Sequence, residues 1–71
     1  MEKVRITLSS LPDRENLVAE IFFDGVQFAE ISNENNQFLI QFYPHPRKDC
    51  WELPFNKVLE VIKNAKLKLL G

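Results

Sequence analysis

Residues Leu17 to Ser32 read LVAEIFFDGVQFAEIS, and this stretch decides the fold. Two β-rich runs, Leu17–Phe23 and Val26–Ser32, flank the dipeptide Asp24-Gly25. A two-residue Asp-Gly connection signals a hairpin, because a type I′ turn needs positive φ at both central residues. The connection also sets a register, with Phe23 opposite Val26, Ile21 opposite Phe28 and Ala19 opposite Glu30. One face then carries Leu17, Ala19, Ile21, Phe23, Val26 and Phe28, and the other Val18, Glu20, Phe22, Gln27, Ala29 and Ile31. A bulge would slip this assignment by one residue on one strand.

Strand patterns continue on both sides of the hairpin. Lys3 to Ser9 reads KVRITLS, and its alternation of Val4, Ile6 and Leu8 with polar residues is the period of a half-buried strand. Pro12, Asp13 and Asn16 mark the loop that follows. Asn33-Glu34-Asn35-Asn36 reads as a second turn. Gln37 to Tyr43 reads QFLIQFY, a fourth strand, and Pro44 and Pro46 end it because proline cannot donate to a ladder. Cys50 to Leu53 fits either a short fifth strand or an extended approach to a helix.

Pro54 to Leu70 reads as that helix, with proline in the first turn and Gly71 at the C-terminal cap. Phe55, Val58, Leu59, Ile62, Ala65 and Leu69 follow the spacing of one buried stripe. Lys57, Glu60, Lys63, Asn64 and Lys68 fall opposite, and Leu67 falls among them. The expected fold is therefore α+β: a four-stranded antiparallel β-meander over about 3–9, 17–23, 26–32 and 37–43, with one C-terminal amphipathic α-helix over about 54–70 packed on one face. A chain of 71 residues makes one domain, here 1–71, because compact domains rarely split below about 100–150 residues. A core this small leaves little room for a deep cavity, and six Phe help to fill it with few residues.

One helix covers one face of such a sheet. In the register above, the second face carries Val18, Phe22, Ala29 and Ile31, continued by Leu39 and Tyr43. That is more apolar than a solvated face requires. Such a patch is either sheltered by loops or open to a partner, a second copy of the chain included.

The chemistry of catalysis is sparse. His45 and Cys50 stand alone of their types, in PHPRKDCWE, and a thiolate pair would need a third group such as Asp49 to orient the base. A metal site needs three or four ligands at suitable spacing, and a phosphate loop needs glycines where this chain has only Gly25 and Gly71. Glu20 and Glu30 fall on opposite faces in the unbroken register, so no carboxylate pair is expected. The residues thus predict no enzyme, cofactor or metal. Trp51 reads slightly better as a lid on the core than as an interface anchor. The single cysteine and the absence of a signal-peptide pattern or membrane span lead to the expectation of a cytoplasmic protein.

Charge directs attention to a protein partner. Residues 15–46 carry Glu15, Glu20, Asp24, Glu30 and Glu34 with no Lys or Arg, while 47–71 hold six cations against three anions. Phosphate would be repelled by an acidic sheet, which argues against nucleic acid. A basic protein would be attracted to it. The stretches VAEIFFDGVQFAEIS, YPHP and WELPFNKVLEVIKNAKLKLL resemble those of small bacterial immunity proteins, including those paired with contact-dependent growth inhibition toxins. The resemblance covers residues 17–70 and implies an antitoxin that binds a cognate toxin; the acidic stretch itself suits a basic partner such as a nuclease. From charge and residue type, and not from the resemblance, the residues expected at the interface are Glu20, Phe22, Asp24, Glu30, Glu34, Tyr43 and Arg47.

Overall fold

The structure, a computed structural model, describes residues 3–71; Met1 and Glu2 of the expected domain lie outside the described residues. The elements are β1 (Val4–Ser9), β2 (Val18–Phe23), β3 (Val26–Glu34), β4 (Gln37–Phe42) and α1 (Phe55–Leu70). The strands pair antiparallel in the order β1-β2-β3-β4, an open α+β meander with one helix against it. Residues 43–54 form an irregular connection, so Cys50–Leu53 is an extended approach to α1 and not a fifth strand.

Both hairpin turns have the backbone that their residues favour. Asp24 and Gly25 have φ of 51° and 81°, as a two-residue type I′ connection demands. Asn35 and Asn36 repeat the device with φ of 53° and 63°. The second turn is thus only two residues long, and β3 runs on through Asn33 and Glu34, which pair with Phe38 and Gln37. Asparagine tolerates the left-handed region, so the tight turn forms without glycine.

The register of β2 and β3 differs from the unbroken one. Phe23 faces Val26 and Phe22 faces Gln27, but Ile21 then faces Ala29, Glu20 faces Glu30 and Ala19 faces Ile31. Phe28 is the extra residue of a β-bulge. Its effect is to exchange faces for the rest of β3. Ala29 and Ile31 move to the helix side and become buried, and Glu30 turns to the other side. An unbroken register would drive the Glu30 carboxylate into apolar packing, a cost that the bulge avoids. Phe28 itself stays in the core, edge-on to Phe23, Phe42 and Trp51 at centroid distances of 5.3, 5.5 and 5.2 Å.

The core lies between the sheet and α1. Ala19, Ile21, Phe23, Phe28, Ala29 and Ile31 meet Val61 and Ala65, with Val4, Ile6, Val58, Ile62, Leu69 and Trp51 packed around them. The helical stripe is rotated from the expected one. Val61 is buried, whereas Phe55 and Leu59 are 75% and 51% exposed. The reason lies in where the helix rests. Its backbone packs over β1, β2 and β3 and not over β4, so its flank towards β4 approaches that strand only through side chains such as Lys66, which lies over Phe38. Gly71, at φ 91°, donates its N–H to the Lys68 carbonyl and closes the last turn. No helix among the described residues is long and apolar enough to cross a membrane.

Candidate functional site

Two surfaces are built by this arrangement, one on each side of the sheet. On the open side the bulge places Glu20 and Glu30 directly opposite each other. This corrects the expectation that they point to opposite faces. Two carboxylates side by side repel unless each is supplied with donors. Glu20 accepts from Ser9 Oγ on β1 and from Gln27 Nε2, the latter at 3.4 Å. Glu30 accepts from Tyr43 Oη at 3.0 Å and from Arg14 Nη2 at 3.4 Å. Glu30 is only 4% exposed, so the guanidinium and the phenol replace the water it has lost.

Arg14 comes from the loop between β1 and β2. The loop folds back across the open face, with a turn closed by Arg14 N–H to the Leu11 carbonyl at 3.1 Å. Asn16 Nδ2 donates to the Asn33 carbonyl at 2.8 Å and anchors the loop to the far end of β3. From there Arg14 reaches Glu30, Gln41 at 3.2 Å and Glu34 at 3.8 Å. Val18, paired with Ser9 and so on this side, is fully buried near the end of the loop. The open face is therefore not the apolar patch expected from the unbroken register. It is a polar network, partly covered, with Leu39 exposed at one side and Phe22 half-buried under the Arg5 guanidinium, 4.3 Å from the ring centroid. Burial, then the hydrogen bond to Glu30, raises the pKa of Tyr43 above its ordinary value.

The second surface is on the helix side. Register places Phe38, Ile40 and Phe42 of β4 on the face that carries Ala29 and Ile31. Because α1 stops short of β4, Phe42 is 58% and Ile40 39% exposed. Ile62 and Lys66 of α1 border the same strand across a groove, and the i, i+3, i+4 spacing puts Phe55 and Leu59 on the same flank of the helix as these two. Lys66 bridges the two, with Nζ 4.9 Å from the Phe38 ring centroid. Between them runs an apolar groove of about 180 Å³ lined by Ile31, Phe38, Leu39, Ile40, Ile62 and Lys66. Sequence reasoning placed Phe55 and Leu59 in the core and so missed this surface. The signal was that a single helix is too narrow for four strands.

The connection after β4 forms the wall of a wider hollow of about 490 Å³ near the β2–β3 turn. Trp51 is the lid expected of it: its Nε1 donates to the Tyr43 carbonyl at 2.7 Å and its ring covers Phe23 and Phe28. His45 stacks edge-on against Trp51 at 4.6 Å, and its Nδ1 accepts the Arg47 N–H at 3.0 Å. Loss of water around the ring, then the charges of Arg47 and Lys48, hold the His45 pKa below its ordinary value. Cys50 is exposed. Among the described residues no three His, Cys, Asp or Glu side chains converge on a point where a metal could sit.

The seven residues expected at an interface divide between two places. Glu20, Phe22, Glu30, Glu34 and Tyr43 share the open face or its margin, and Glu30 is buried there. Asp24 and Arg47 line the hollow at the other end of the hairpin. Asp24 is also occupied locally, since its Oδ1 accepts the Lys3 N–H at 2.8 Å. No family model, curated protein or solved structure matches the chain.

Proposed function

We propose that this chain is a protein-binding module whose partner docks on the apolar surface between β4 and α1. One observation carries the reading: the groove between β4 and α1 is lined by Ile31, Phe38, Leu39, Ile40 and Ile62 with Lys66 as its one charge, while Phe42 of β4 and Phe55 and Leu59 of α1 are each more than half exposed. Large apolar side chains grouped in this way mark interaction sites in folded proteins. The bordering charge is Lys66, so the surface suits a partner with an apolar stripe and acidic margins. Toxin neutralisation, the activity that the resemblance to immunity proteins implies, is one form such binding takes.

A second reading rests on the open face. Glu20 and Glu34 keep part of their surface in water, with Phe22 and Leu39 nearby, and such a mixed acidic and apolar patch suits a basic partner, as a toxin nuclease would be. Arg14 reduces that acidity by pairing with Glu30 and Glu34.

One comparison separates the readings. Phe55→Asp with Leu59→Asp changes only exposed side chains of α1, and Glu20→Gln with Glu34→Gln only the open face. Each pair is tested by quantitative co-purification of the partner from the native cell. The first pair is expected to weaken capture at least tenfold and the second to leave it near the parent level. Loss on the second pair alone would transfer the docking site to the open face.

A further inference from the structure

The two outer strands of the sheet are protected unequally. β1 is flanked by Lys3 and carries Arg5, and α1 packs over it. Charged side chains and an overlying helix are the usual means of blunting a sheet edge. β4 is less protected. From Gln37 to Tyr43 it contains no charge, no proline and no bulge, and α1 approaches it only through side chains, with Lys66 over Phe38 near its start.

The hydrogen-bond phase of β4 defines what its free edge offers. Tyr43 N–H donates to the Phe28 carbonyl at 2.9 Å, which turns that residue's main chain inward. Inward and outward groups alternate along an antiparallel strand. Gln41, Leu39 and Gln37 therefore bond to β3, and the N–H and carbonyl groups of Phe38, Ile40 and Phe42 face outward. The side chains of these three lie on the helix side of β4, Ile40 and Phe42 exposed and Phe38 half-buried beneath Lys66.

We infer that β4 pairs antiparallel with β4 of a second copy, in a register centred on Ile40. This rests on the proposed docking surface and names the first occupant of it. A two-fold axis at Ile40 sets Ile40 against its own copy and Phe38 against Phe42 in both directions. Every outward N–H and carbonyl of the three residues then has a partner, and apolar side chains meet apolar side chains with no charge across the seam. The result is an eight-stranded sheet with both helices on the same side. Their flanks, each with Phe55, Leu59 and Ile62, face each other across a trough whose floor is the paired β4 strands. The pairing so doubles the surface offered to the further protein partner.

The size of the contact sets the expected strength. The seam is short, three outward-facing residues and the side chains beside them, and so falls below the roughly 800 Å² per partner of a standard interface. The dimer is thus expected as a concentration-dependent equilibrium. Sedimentation velocity on the purified chain from about 10 μM to about 1 mM spans the micromolar to millimolar dissociation constants that such a small interface supports.

Ile40→Lys and Ile40→Glu each place like charges across the axis, and each is expected to be monomeric over that range. An equimolar mixture of the two variants is expected to regain the dimer, because the axis then sets Lys against Glu. Circular dichroism checks that both variants remain folded. Should either fail to fold, amide exchange on the unaltered chain replaces them: protection at Phe38, Ile40 and Phe42 must rise with concentration. A monomer at every concentration, a dimer insensitive to Ile40→Lys and Ile40→Glu, a mixture that stays monomeric, or protection rising elsewhere would each overturn the pairing. A photo-crosslinker at Phe55, away from the seam, distinguishes the two inferences. A monomeric chain that still crosslinks there to a different protein keeps the binding reading and loses the second copy.

Discussion

The two faces of this sheet are made by the same four strands and held by opposite means. On the helix side, Ile21, Phe23, Ala29 and Ile31 are buried against Val61 and Ala65 with no polar side chain in the cluster. On the open side, Glu30 is nearly as buried, yet its environment is a guanidinium, a phenol and a neighbouring carboxylate. The first face is stabilised by non-directional burial, which grows with apolar area. The second depends on each donor meeting its acceptor, since a buried charge without a partner is costly. The Phe28 bulge is what allows both solutions on one strand, because it sends Ile31 to the first face and Glu30 to the second. The faces should therefore fail differently when cut.

The largest expected effect is on the helix side. Phe23→Ala removes a ring that is 2% exposed and that touches Phe28 and Trp51. Such truncations cost about 3–5 kcal/mol, a large part of what a chain of this size has to lose. Urea denaturation followed by circular dichroism should show a midpoint shift of that order, or a chain unfolded without denaturant. A loss below about 1 kcal/mol would mean that the cluster repacks and that the contrast with the open side is false.

The open face should respond less, and in a way that can be repaired. Arg14→Ala leaves Glu30, among the described residues, with the Tyr43 phenol as its remaining side-chain donor and should cost about 1–3 kcal/mol. Adding Glu30→Gln removes the stranded charge, so the double variant should be more stable than Arg14→Ala alone. Denaturant titration of the four members of the cycle gives the coupling directly. If the two losses simply add, charge pairing is not what holds this face.

How much of this was legible beforehand follows from the range of each interaction. The turn at Asp24-Gly25 and the ends of α1 at Pro54 and Gly71 are local, and two or three residues carry them. The bulge is not local. Asp-Gly is compatible with the unbroken register as well, and what selects the bulged one is the placing of Ile31 and Glu30 on different faces of a sheet packed on one side. The exposure of Phe55 and Leu59 is likewise hidden from periodicity, which finds an apolar stripe but not which strands it lies over. Arg14 sits just outside the acidic stretch 15–46, so a count over that stretch cannot see that the loop returns it to Glu30 and Glu34.

The smallest effect sharpens the contrast by adding pH. Tyr43 donates its hydroxyl to Glu30, and burial together with that carboxylate raises its pKa above the ordinary value of 10. The folded state therefore holds the phenolic proton more tightly than the unfolded chain does. Stability from this source is fully present below pH 10 and is lost as pH rises through the folded value. Tyr43→Phe removes the hydroxyl and should cost about 0.5–1.5 kcal/mol at neutral pH, the net worth of one hydrogen bond. The informative quantity is the difference between the two proteins across the alkaline range, since whatever else changes there is common to both. That difference should shrink as pH rises past 10, because the parent chain loses what the variant never had. A gap that stays constant would assign the role of Tyr43 to packing and leave Arg14 as the one partner that satisfies Glu30.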